Sequence, residues 1–189
     1  MQRIIKSKLA TAAGKLLGRR IMRRFVRRED GAAAVEFAMV AAPFLALVFA
    51  IMETAIVFFA SQALETAVSD SARLIMTGQA QSGSFDQAKF KTEVCKKIYG
   101  LFDCTGGVHV DVKKYTGFSS IALTPPVDAN GNLVQNFTYQ PGGPGDIVVV
   151  RLFYQWPVYI SLLGFNLADM SGGKRLLAAT AAFRNEPYQ

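Results

Sequence analysis

The chain has 189 residues, 51% of them hydrophobic, with 21 Lys and Arg against 14 Asp and Glu and a formal net charge of +7. The excess is local. Residues 1–30 hold ten of the basic residues and only Glu29 and Asp30 as acids, whereas the remaining 11 basic and 12 acidic residues nearly cancel. A basicity confined to one segment removes the case for a nucleic-acid-binding domain.

Within that segment, Ile4, Ile5, Leu9, Leu16, Leu17, Ile21, Met22, Phe25 and Val26 recur at helical spacing, with Lys and Arg on the other face. An amphipathic helix on anionic lipid and a disordered basic tail both fit this pattern. The segment ends at Gly31. A membrane-length apolar run follows, and Glu36 lies at its start. A carboxylate in lipid costs about 2.5–3.5 kcal/mol at mid-bilayer and less near the edge. Phe37 to Met52 is uncharged, and allowing Glu53 extends the apolar stretch to Ala60, long enough to cross a bilayer. Positive charge before the run predicts a cytoplasmic N-terminal side and an outer C-terminal side. Pro43 removes one helix bond and predicts a kink. Glu53, about 30 Å along the helix from Ala32, is expected as a solvated carboxylate at the outer interface.

Leu64, Val68, Ala72, Ile75 and Met76 continue the helical pattern beyond the membrane, and Gly78 with QAQSGS ends it. The organisation expected is a leader over 1–31, a transmembrane helix over 32–60, its extension and a linker over 61–84, and an α+β domain over 85–189. In that domain Phe85 to Tyr99 reads as a helix, and Val108, Val110 and Val112 mark a strand. Ile121, Leu123 and Leu133 to Tyr139 flank Asn130-Gly131, a hairpin signal. A calcium loop there lacks the acidic ligands and the terminal glutamate. Asp146 to Tyr159 is the clearest strand. Both its faces are apolar, so it should be central, with the helix over one side. Lys174 to Arg184 fits a helix by its alanines and a strand by its alternation. Gly142-Gly143-Pro144-Gly145 is a turn, since no Lys-Ser/Thr follows to make a phosphate loop.

Gly31, four small or apolar residues, Glu36 and Phe37 resemble the processing site of type IV prepilin-like proteins, most of all the tight-adherence (Tad) branch. With Pro43, Glu53, Ser71-Ala72-Arg73, Thr77-Gly78 and the ending Arg184-Asn185-Glu186-Pro187, the stretch from Gly31 resembles a TadE-like protein. That resemblance implies an α+β pilin-like fold, a long N-terminal helix packed on a small antiparallel sheet, and cleavage between Gly31 and Ala32 by a prepilin peptidase. It implies a minor pilin or pseudopilin needed to assemble an adhesive Tad/Flp-type pilus. Expected partners are that peptidase, other pilin-like subunits, inner-membrane Tad machinery and membrane lipid. The physical reason for Glu36 is independent of the family: a free ammonium at Ala32 enters lipid more cheaply with a carboxylate one turn along. The ending also favours a last strand over Lys174 to Arg184.

Cys95 and Cys104 lie on the expected outer, periplasmic side, where an even pair reads as a disulfide. Two cysteines and the lone His109 are too few for a metal site, and His109 reads as a structural or surface residue. Asn136-Phe137-Thr138 is a glycosylation sequon by pattern only. No nucleophile–base, metal or cofactor constellation emerges, so an enzyme is not expected. The alternative to the pilin-like reading is an unprocessed single-pass envelope protein whose outer domain binds or assembles.

Overall fold

The computed structural model describes residues 29–98, 100, 103–159 and 166–188. The basic segment at 1–28 and Tyr99, the last residue of the helix read from Phe85, lie outside them. The chain divides into two compact units, with the boundary between Phe49 and Ala50. The fold is α+β: a long N-terminal apolar helix followed by a small three-stranded antiparallel sheet.

Helix α1 spans Glu29–Met76 and contains Pro43. In the first unit its apolar side chains are uncovered, with Phe37, Met39 and Val40 each more than 70% exposed. In the second unit one stripe turns inward through Glu53, Val57, Ala60, Leu64, Ala67, Val68, Ser71, Ala72 and Ile75. Steps of three and four residues keep these positions on one face, and Glu65, Asp70 and Arg73 point out. Glu53 is thus a buried residue and not a solvated one. It stands four residues before Val57 on the same stripe, so the face that enters the core carries it inward.

Gly78, at φ 78°, stops α1. The polar run after it is not an open linker: Gln79–Ser82 makes one further turn, α2. Helix α3 spans Gln87–Cys95: it starts two residues later than its sequence pattern suggests and stops at Cys95, where Lys96, Lys97 and Ile98 form a turn instead of continuing it. Asp86 sets that start by accepting the Lys89 N–H at 2.7 Å, which satisfies an otherwise orphaned donor. Phe85 packs against the core from outside the helix. A short turn of helix, α4 at Cys104–Gly107, leads into β1 at Val108–Tyr115.

Strand β2, Ile147–Pro157, pairs antiparallel with β1 and with β3, Lys174–Arg184, giving the order β1-β2-β3. The central strand is therefore the one with two apolar faces. Val148, Val150 and Leu152 join Val108, Val110, Val112, Leu177 and Ala179 on one face. That face completes a core with the α1 stripe and with Phe90 and Val94 of α3. The other face carries Val149, Arg151, Phe153 and Asp111, all buried.

Residues 116–146 supply cover for that second face, and they do so without the two strands expected around Asn130-Gly131. Only single bridges form, Val127 to Leu133 and, in parallel, Val112 to Tyr139. Pro125 and Pro126 have no N–H for a ladder. The segment is held instead by the Thr124 carbonyl on Arg151 and the Thr138 N–H on Asp111. Asp128 organises the Asn-Gly turn, its Oδ1 accepting the N–H groups of Asn130 and Asn132. Those bonds, the one from Asn132 first, hold its carboxyl below the usual range.

Candidate functional site

The residues that carry the processing resemblance all lie on α1. Gly31, Ala32, Glu36 and Phe37 fall within Glu29–Met76. Ala32 and Glu36 are one helical turn apart, which puts their side chains about 5–6 Å from one another on one face. Glu36 is exposed, and Phe37 is 75% exposed. Ala32, Ala33, Ala34, Ala38 and Ala42 are exposed as well, so this part of α1 presents small and apolar side chains together. The helix is long and apolar enough to cross a membrane once. Such an arrangement can insert in lipid and pack closely against another helix.

Cys95 and Cys104 are joined by a disulfide with Cα atoms 5.7 Å apart. It links the end of α3 to the start of α4, and Cys104 packs against the core. His109 lies on β1 with its ring 5.2 Å from Phe137, at the rim of an open depression of about 450 Å³ also lined by Asp86, Gln87 and Lys91. Burial, with Lys91 nearby, pushes the imidazole below its usual value. The polar neighbours serve the fold: Gln87 Nε2 donates to the Val110 carbonyl, and Lys91 Nζ to that of Thr105. The lining holds no hydroxyl or thiol nucleophile.

Two groupings were not visible in the sequence. The first is Asp111 with Arg151, paired at 2.6 Å across β1 and β2. The second is the ending Arg184-Asn185-Glu186. Asn185, 3% exposed, donates through Nδ2 to the carbonyls of Pro141 and Gly143, both at 3.0 Å. Arg184 Nε donates to the Gly145 carbonyl, and the Glu186 N–H to that of Met76, the last residue of α1. Gln81 Nε2 reaches the Pro141 carbonyl from α2. The Tyr188 ring then lies on Gly78, where any Cβ would collide with it. No local signal marked this grouping, since Asn185 and its acceptors are more than 40 positions apart in the sequence.

Residues 31–73 match the model of a family described as TadE-like protein. The match begins at Gly31 and closes on Arg73. This segment is TadE-like. Its match covers the candidate processing residues, the exposed apolar helix and most of the inward stripe, and ends before the disulfide, the sheet and the Asn185 clasp. Neither a curated protein nor a solved structure matches the chain. Among the described residues no group of three or more His, Cys, Asp or Glu is placed to hold a metal ion.

Proposed function

We propose that the protein is a minor pilin or pseudopilin of a Tad pilus, acting by helix-mediated assembly and not by catalysis. A prepilin peptidase removes residues 1–31, Ala32 becomes the mature N-terminus, and Glu36 pairs with the new ammonium of this chain or of a neighbouring subunit. The protein then spans the bacterial inner membrane once, with its C-terminal domain in the periplasm, and contributes to an adhesive pilus through contacts with other pilin-like subunits and the Tad machinery. The observation that carries this reading is the TadE-like match starting at Gly31, with Glu36 the fifth residue after it. The exposed small and apolar side chains along α1 support it.

N-terminal sequencing of the protein from cells with an active peptidase is the direct test, with Ala32 as the expected first residue. Gly31→Leu should retain the leader and migrate more slowly on an immunoblot. Identical migration of wild type and Gly31→Leu would sink the processing step. Glu36→Ala should be inserted and largely cleaved yet fail to support piliation, because the lost charge matters most where water is absent.

A further inference from the structure

The stripe by which α1 enters the C-terminal core begins with a carboxylate. Glu53 is 8% exposed, and its Oε1 accepts the backbone N–H of Tyr159 at 2.7 Å. That bond ties α1 to the chain leaving β2, 106 positions away in sequence. The sides of α1 turned away from that stripe are apolar and open at this level. Ile51, Phe58 and Phe59 are each more than 60% exposed, and Tyr159 is 82% exposed. No charged residue occurs from Leu152 to Ala168. Large apolar side chains left this exposed need a cover.

Length and chemistry say what covers it. A hydrocarbon core takes about 20 helical residues, and counting from Phe37 brings its far boundary to about Val57. Phe58 and Phe59 therefore come at headgroup depth, and Glu53 with the backbone tied to it lies about one helical turn inside that boundary. Tyrosine suits that depth, with an apolar ring and a wet hydroxyl. A backbone N–H at the edge of lipid needs a protein acceptor, and a carboxylate is a strong one.

We infer that Phe58, Phe59 and Tyr159 form a lipid-contacting foot of the C-terminal domain, seated in the headgroup–acyl boundary and positioned by Glu53. The inference rests on the membrane-anchor part of the proposed function and is independent of processing. The two native cysteines are bonded to each other, so Tyr159→Cys and Phe118→Cys each give one free thiol for a nitroxide label. Phe118 is 57% exposed on a different segment of the domain and serves as the aqueous reference. The labelled full chain is reconstituted in phosphatidylcholine–phosphatidylglycerol vesicles, washed with carbonate, and probed by collision with oxygen and with a water-soluble nickel chelate. Oxygen partitions into lipid, so its accessibility relative to nickel should be roughly threefold or more higher at 159 than at 118. Glu53→Ala should move the 159 label toward the aqueous value, and Glu53→Gln, which keeps an acceptor oxygen, should not. Equal ratios at the two sites in vesicle-bound protein would overturn the foot. So would a 159 label shielded from both agents, which would mean protein cover. Chain released by the carbonate wash would instead defeat the anchor reading, and the foot with it.

Discussion

Asp111→Ala removes the group on which the second face of the sheet is organised. Asp111 is 1% exposed, and Arg151, its partner in the β1–β2 register, is 8% exposed. The carboxylate accepts Nη2 and Nε of Arg151 on Oδ2, at 2.6 and 3.1 Å, and the Thr138 N–H on Oδ1 at 2.9 Å. Without it the guanidinium keeps the Thr124 carbonyl at 3.0 Å, and the Thr138 N–H loses its acceptor. Breaking a buried pair from one side costs about 3–5 kcal/mol. With a urea slope of about 2 kcal/mol per molar, the midpoint should fall by about 2 M. Trp156, the one tryptophan, sits on β2 and reports the transition by fluorescence of the full chain in detergent. Asp111→Val with Arg151→Met removes both charges and should recover most of the loss. A single-mutant shift below about 0.5 M, or a double mutant no better than the single, would refute the reasoning.

The pH dependence of the same group has a definite sign. Burial pushes the Asp111 carboxyl up, but the Thr138 N–H, Arg151 and Lys113 together bring it below its usual value. A carboxylate depressed by folding contributes stability that is complete above its unfolded pKa and is lost as pH falls through the folded one. The acid limb of wild-type unfolding, below about pH 4, should therefore be flatter in Asp111→Asn.

Other outcomes follow from single features. Cys95→Ser with Cys104→Ser opens a loop closed across nine positions and should cost about 2–3 kcal/mol, read as a urea midpoint shift that reductant reproduces in the wild type. Gly78→Ala places a Cβ against the Tyr188 ring at a left-handed backbone position and should destabilise by about 1–3 kcal/mol in the same assay; no change would mean that the clasp contributes nothing. Burial, with Asp86, pushes the Tyr139 hydroxyl up to about 12, and it has no hydrogen-bond partner among the described residues. Tyr139→Phe should keep or raise stability by up to about 1 kcal/mol, and an ultraviolet titration should show that this variant loses a tyrosine that in the wild type is still neutral well above pH 10.

The elements with strong local patterns were legible in the sequence. The apolar run and its inward stripe, the alternation of β1 and the two-faced apolar β2 each reflect a periodicity that burial enforces. Lys174 to Arg184 was legible only in part: alanines suit either state, and pairing with β2 makes it a strand. What could not be read was whatever depends on distant partners. Glu53 looked like a boundary charge because hydropathy weighs each residue alone, whereas its exposure is set by the stripe it shares with Val57 and Ala60. Residues 116–146 looked like a hairpin because Asn-Gly is a local signal, and the polar bonds that hold them onto Asp111 and Arg151 are not. The cysteine pair was readable because the chain has two cysteines and both fall on the side expected to be oxidising.

The Asn185 clasp gives the C-terminal domain a closing order. The cap of α1 comes from the Glu186 N–H on the Met76 carbonyl, and the turn before β2 is held by Asn185 and Arg184. Residues 174–184 also supply the strand that covers one edge of β2. Until these residues are present, β2 has an unpaired edge, and the last carbonyls of α1 lack a donor from this segment. An uncovered apolar strand edge is a template for association with other chains. Cys95 and Cys104 precede β1, so their bond fixes α3 to α4 without needing β3. Local closure at the bridge followed by long-range closure at the clasp is the sequence of events that loop entropy favours, since short loops cost less to close than long ones.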